Sequence, residues 1–342
     1  MAHAYLRSPP LETARQFLEE NVNLTPGVCE LVLMYAAESS MYVVGGRDDS
    51  YTDLASVEKY DPVRNEWTAV AAMGTERHNL GSAVLDGALY VIGGYGNDDI
   101  FSSVEKYDPV QDEWLVVAAM STERCGHGVE ALDGALYAVG GFDKNKTILA
   151  SVEKYNPTRN KWTSVAPMGT KRYRHDVAAL DGMLYAVGGI DENNNSLASV
   201  EKYDLAQDKW TAVAVMGVQR GGLGLAVLDG ALYAVGGYDK NINPTASVEK
   251  YDPALDKWTE VAAMGTNRYK HGLVMLDGAL YAVGGYDKNI GPIALVEKYD
   301  PKQDVWTAVA SMGTKRGAHG VAVLSVWTMG KLESHIQKNK IF

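Results

Sequence analysis

Apolar and polar positions alternate in short blocks, and the same layout returns all along the chain. Apolar runs of strand length, such as Ala83 to Leu85 and Ala88 to Ile92, are joined by Asp86-Gly87. Asp-Gly favours a two-residue type I′ hairpin, because both central residues take positive φ. The pair recurs at Asp133, Asp181, Asp229 and Asp277. A Gly-Gly doublet ends the second run, at Gly45, Gly93, Gly140, Gly188, Gly236 and Gly284, spaced 47 or 48 residues apart. A variable stretch follows each doublet, then V-E-K-Y, then a turn such as Asp61-Pro62 or Asp252-Pro253, with Asp and Pro at the first two positions of a type I turn. A strand carrying Trp67, Trp114, Trp162, Trp210, Trp258 or Trp306 completes the unit. That makes four strands per unit and six units. One four-stranded sheet cannot cover both its faces, but six arranged radially cover one another, with Tyr and Trp between them. The pattern predicts an all-β, six-bladed β-propeller with four antiparallel strands per blade.

The doublet, the spaced Tyr60 and Trp67 of each unit, and the period of about 50 residues resemble Kelch repeats. The resemblance covers roughly residues 41 to 324 and is most similar to the propellers of BTB-BACK-Kelch (Kelch-like) proteins. It implies a substrate adaptor of a cullin-type ubiquitin ligase. Related propellers bind actin, and a few Kelch propellers are enzymes. A BTB domain does not fit in the roughly 40 residues before the first blade, so the expectation is either a fragment of a longer adaptor or a chain that works without a ligase.

The repeat breaks at both ends. His319 to Leu324 looks like a first strand with no second, and Met41 to Gly46 like a second strand with no clear first. A ring closed by the C-terminal strand satisfies both ends and leaves no exposed edge; local pairing of Val32 to Ala37 is the competitor. Residues 1 to 40 are expected to form an N-terminal segment faintly similar to the end of a BACK domain. A short amphipathic helix is predicted over residues 10 to 22, with Leu11, Ala14, Phe17, Leu18 and Val22 on one face. Residues 325 to 342 abandon the repeat and read as a tail.

Charge narrows the partners. The net charge of -11 disfavours a general nucleic-acid binder. No apolar stretch approaches the roughly 20 residues that span a bilayer, so neither nucleic acid nor membrane is expected as a partner. Two cysteines, Cys29 and Cys125, build no disulfide framework, and a reducing cytoplasm fits best. No Cys/His spacing resembles a zinc site, no cofactor is expected, and no G-x-S-x-G, H-E-x-x-H or P-loop occurs. Catalysis on a six-fold scaffold needs a set that occurs once. An enzyme is therefore the least favoured reading.

What is constant among six copies serves the scaffold, and what varies can specify a partner. V-E-K-Y is present in every unit and reads as packing and inter-blade bonding. Variation falls in the loop after Gly-Gly and in the pair after each repeat Arg, and strand alternation puts both on one face. In Kelch-like proteins this face holds the partner peptide. The candidate contacts are Arg47, His78, Asn79, Tyr95, Phe142, Tyr173, Arg174, Tyr238, Tyr269, Lys270 and Tyr286. The inner loops carry ten Lys and Arg against Glu76 and Glu123, which suggests an acidic peptide or protein partner. The six repeat Arg residues are read mainly as bonds between neighbouring loops. Arg174 and Lys270 stand outside the repeat, each beside a Tyr, and are the preferred anchors. His127, His175, His271 and His319 share one repeat position, occupied elsewhere by Leu80 and Leu223, and are read as structural hydrogen-bonders rather than metal ligands. Cys125, beside Arg124 and near His127, is a candidate low-pKa thiol. The favoured function is protein recognition by an adaptor propeller, with actin binding as the alternative.

Overall fold

The computed structural model describes residues 38–239 and 241–326; the helix predicted over residues 10 to 22, the alternative strand at 32–37 and residues 327–342 lie outside them. The described chain forms six four-stranded antiparallel sheets and no helix. The sequence units map directly onto blades. In blade 2, Gly81–Leu85, Ala88–Ile92, Val104–Asp108 and Glu113–Val117 run from the innermost to the outermost strand. Asp86 and Gly87 take φ of 50° and 74°, as a type I′ turn requires.

Blade 1 draws on both ends of the chain. Its innermost strand, Gly320–Val326, pairs antiparallel with Glu38–Val44, with Met41 opposite Val323 and Val44 opposite Gly320. The sheet therefore begins three residues before 41 and ends two after 324. The extension has a cause: Ser39 and Ser325 face each other and their hydroxyls meet at 2.9 Å.

The blades pack face to face, which explains the burial pattern. Ala88–Ile92 is buried at every position because neighbouring blades cover both its faces, while the outer strand Glu113–Val117 exposes Glu113, Leu115 and Val116. The apolar core is divided into six layers, one between each pair of adjacent blades. Tyr90 and Ile92 of blade 2 meet Leu136, Ala138 and Tyr155 of blade 3, and Met41 and Val43 of blade 1 meet Tyr281 and Val283 of blade 6.

Polar staples fix the spacing between these layers. Asn160, at φ 45°, accepts the Tyr155 hydroxyl at 2.8 Å within blade 3 and the Ala118 N–H of blade 2 at 2.9 Å. Trp162 Nε1 then donates to the Ala118 carbonyl at 2.9 Å. Deeper, each repeat Arg reaches the V-E-K-Y Glu of the next blade. Arg77–Glu105, Arg172–Glu201 and Arg316–Glu58 each meet at 2.7 Å, with every one of these guanidiniums fully buried. Arg172 also donates to the carbonyls of Gly188 at 2.8 Å and Ser199 at 3.1 Å. Arg316–Glu58 spans most of the chain and ties blade 6 to blade 1.

The glycine doublets sit where this packing leaves no room. A Cβ on Gly140 would lie 2.7 Å from the Arg172 carbonyl and 2.8 Å from His175 Cε1, and one on Gly141 would lie 2.8 Å from His127 Cβ. Each doublet is thus clasped between successive residues of the His/Leu position.

Candidate functional site

Both kinds of variable loop lie on one face, and their backbones are joined. The residue after each repeat Arg bridges the residue after a doublet: His78 with Tyr95, Cys125 with Phe142, Tyr173 with Ile190, Gly221 with Tyr238, Tyr269 with Tyr286, and Arg47 with Gly317. One position further on, six residues form a closed annulus at the mouth of the central channel. Asn79 N–H donates to the Ala318 carbonyl, Gly126 to Asn79, Arg174 to Gly126, Gly222 to Arg174, Lys270 to Gly222 and Ala318 to Lys270, all at 2.7 or 2.8 Å. All six have left-handed backbones, with φ between 48° and 63°. Each non-glycine among them bears a strained conformation held by the bonds on either side.

From this annulus the candidate side chains spread into an arc over blades 3 to 6. Phe142 and Tyr173 meet edge to face with centroids 5.5 Å apart, and the Arg174 guanidinium lies 5.4 Å from the Tyr173 ring. Arg174 Nη1 donates to the Tyr238 hydroxyl at 2.7 Å. Tyr238 packs edge to face on Tyr269 at 5.1 Å, Tyr269 stacks on Tyr286 at 5.5 Å, and Lys270 Nζ lies 5.7 Å from the Tyr286 centroid. Arg47, His78, Tyr269, Lys270 and Tyr286 line a pocket of about 520 Å³ between blades 6 and 1. Tyr95 stands beside it, edge-on to His78 at 5.3 Å. Asn79 and Arg174 border the central channel of about 430 Å³.

Burial governs the charges here. Among the described residues, no carboxylate lies within ion-pair distance of Arg174 or Lys270. Burial first, then the fields of Arg174 and Arg47, push the Lys270 amine down to about 7. Arg47 differs, because its Nε lies 2.8 Å from Asp53 Oδ1. His78 Nδ1 is 2.7 Å from the same oxygen. Burial outweighs that carboxylate and, with Arg47 and Lys270 nearby, holds the imidazole well below its usual range and neutral. Cys125 corrects the low-pKa expectation. It is 1% exposed, and burial outweighs Lys270 and Arg174 to push the thiol up to about 12.

The four repeat histidines correct the expectation of hydrogen bonding: both ring nitrogens of each are buried and, among the described residues, without a hydrogen-bond partner, and the rings act as packing plugs against the doublets. Burial and the adjacent repeat Arg push His127 and His319 down to about 3. Among the described residues, no group of three or more His, Cys, Asp or Glu is placed to hold a metal ion.

Sequence reasoning passed over three features. Asp53, which ties Arg47 to His78, sits in a loop of no fixed pattern. Tyr51 and Ile290, 70% and 72% exposed, line the pocket from loops of differing lengths. Glu130 and Asp176 line the channel, where burial pushes both carboxyls up to about 7. The sequence did carry a signal for these two, since the matching positions elsewhere hold only Ala or Val, and Gly, respectively.

The KLHDC2/KLHL20/DRC7 Kelch-repeats domain matches this chain over residues 18–189 and 126–329. The chain belongs to this Kelch-repeat family. Kelch-like relatives match over shorter stretches. Kelch-like ECH-associated protein 1A of Danio rerio is 40% identical over 57 residues, covering 16% of this chain and 10% of that protein. Kelch-like protein 36 of Bos taurus is 39% identical over 67 residues, 18% of this chain and 11% of the relative, and Kelch-like protein 35 of Mus musculus is 40% identical over 67 residues, 20% and 12%. The alignments thus span about a tenth of each relative's length. A solved structure titled "Structure of YjhT" shares the fold, with a TM-score of 0.67 at 16% identity over 78% of this chain and 96% of that one. A Kelch propeller is a protein-interaction fold, and the aromatic and cationic arc lies on its loop face.

Proposed function

We propose that this propeller is the substrate-recognition part of a cullin-type ubiquitin ligase adaptor working in the cytoplasm, and that it binds an acidic peptide segment on the loop face. The observation that carries the reading is the pair Arg174 and Lys270, which lie among tyrosines and, among the described residues, without a carboxylate partner, while each repeat Arg is matched by a Glu. A partner carboxylate or phosphate would supply the missing counter-charge, and the flanking rings would take adjacent apolar groups. The pocket residues Arg47, His78, Tyr269 and Tyr286 form one wall of this surface. Phe142, Tyr173 and Tyr238 continue it, with Asn79 and Tyr95 at its border. The role is recognition rather than catalysis. The folding unit runs from 41 to 324 with short strand extensions, and pairing of its C-terminal strand with the first blade holds the ring shut; 1–37 and 327–342 are accessory.

The test is an array of acidic, phosphorylated and charge-neutral peptides probed with the wild type and with Arg174→Gln/Lys270→Gln, both checked by thermal melting. Binding confined to acidic peptides, weakened at least tenfold in the double variant, supports the reading. Equal binding by the variant removes the arc from the site. Co-sedimentation with actin filaments, unchanged in the variant, would replace the adaptor reading with a cytoskeletal one.

A further inference from the structure

We propose that Lys270 is a covalent capture site for small carbonyl compounds bearing an anionic group, which condense with its amine to an imine in the pocket between blades 6 and 1. This goes beyond peptide recognition and does not depend on it.

The geometry sets Lys270 apart from the other described lysines. Its backbone is fixed in the annulus, donating to Gly222 and accepting from Ala318. It lines both the pocket and the channel, so it stands where a small molecule entering from the loop face would meet it. Its amine lies over the Tyr286 ring instead of beside a carboxylate. Arg174 is two places away round the annulus, and Arg47 lines the same pocket. An ammonium half-withdrawn from water in the field of two guanidiniums sheds its proton readily. With its pKa pushed down to about 7, roughly half of the amine is free base at neutral pH. A solvent-exposed lysine has only about one part in 2,500. The free amine is the nucleophile that carbonyl chemistry needs.

The cations also select the reactant: Arg47 lines the pocket with Lys270, and Arg174 lines the channel on the other side of Lys270, so an anionic group on the incoming molecule meets positive charge from either side, while Asp49, paired with Lys315, and Asp287 stand among the other pocket residues. A pocket of about 520 Å³ suits a small acid. Competing groups are less available: Cys125 is a buried, protonated thiol, His78 Nδ1 is buried beside Asp53, and Nζ of Lys288, which also lines the pocket, donates to Asn243 Oδ1 at 2.9 Å. In the reaction the Nζ lone pair forms a C–N bond to the carbonyl carbon, and the carbonyl oxygen takes a proton. The resulting carbinolamine loses water to leave C=N. No oxidant or reductant is consumed, and hydrolysis reverses the step.

The test incubates the full chain with pyridoxal 5′-phosphate as probe and cyanoborohydride as trap at pH 7, with modification at each lysine read by peptide mass spectrometry. Lys270 should be labelled at least tenfold faster than the exposed Lys161 and Lys209, with a rate that saturates in probe and is lowered by inorganic phosphate. Lys270→Arg, checked by thermal melting, should remove the fast phase. Arg174→Gln should slow it and move its pH midpoint upward, which loss of packing alone would not do. Labelling of Lys270 no faster than of Lys161 overturns the proposal. Fast labelling that an uncharged aldehyde reproduces overturns the anionic requirement.

Discussion

Cations on the loop face differ in what burial has done to them. Arg172 is fully buried and Glu201 answers it at 2.7 Å, so removing the guanidinium strands a buried carboxylate. Arg172→Met is expected to cost about 3–5 kcal/mol in urea unfolding, and adding Glu201→Leu should recover much of it. Arg174→Gln loses one hydrogen bond and a ring contact and should stay within about 1.5 kcal/mol of the wild type. The histidines give a pH dependence whose sign follows from burial. In the unfolded chain an imidazole takes a proton below about 6.5, whereas His127 and His319 stay neutral in the fold to about 3. At these two sites the unfolded state then binds more protons, so the histidine contribution to stability is full above 6.5 and is lost as pH falls through this window, against the opposite slope from Glu130 and Asp176. His127→Leu, which copies Leu80 and Leu223 at the same repeat position, should reduce the pH slope of the urea-unfolding free energy between 6.5 and 5 by about one proton. Comparison of six copies made Arg174 and Lys270 legible in the sequence. It could not show that burial of Cys125 outweighs the cations around it, because exposure is set by how the loops pack.

Single strands and turns follow local rules that the sequence exposes well. Each Asp-Gly became a tight hairpin, each doublet a close approach, and each Asp before the Trp strand a turn cap, as where Asp61 Oδ1 accepts the Val63 N–H at 2.9 Å. Two glycines with similar φ separate backbone strain from crowding. Gly134, at φ 69°, has nothing within 4 Å of an added Cβ, so Gly134→Ala should cost only the left-handed strain of about 1–2 kcal/mol. Gly140→Ala meets the Arg172 carbonyl and His175 as well, and its loss in thermal or urea melts should be clearly larger. The loops after the doublets were not legible as structures. Some form short ladders, as Tyr95–Gly96 does with Asp99–Ile100, and others only a bend stapled by Asp, as Asp48 Oδ1 does for Ser50 and Thr52.

At the scale of the whole molecule, stability is distributed over six similar interfaces, but blade 1 depends on two distant stretches of chain. Ending the chain before Gly320 strips Met41 and Val43, both fully buried, of their innermost neighbour. Such a truncation should lower the melting temperature by ten degrees or more, or abolish a cooperative melt, in circular dichroism. The blade count was readable because the period is regular. The two channel carboxyls stand out in the sequence only as departures from the repeat, and their burial is not readable there, because it depends on a lumen that exists only once the blades are assembled.

The annulus of backbone bonds has a consequence for how such a protein can change. Its six positions hold their shape through N–H and C=O groups that every residue but proline possesses, while only the side chains differ. Asn, Gly, Arg, Gly, Lys and Ala already occupy it in one molecule. Chemistry at the mouth can therefore be rewritten letter by letter without redrawing the chain path. The alphabet is restricted, since β-branched residues resist the left-handed conformation and proline cannot donate. A library randomised at these six sites, with Val, Ile, Thr and Pro left out, would keep most members folded while sampling very different recognition chemistries.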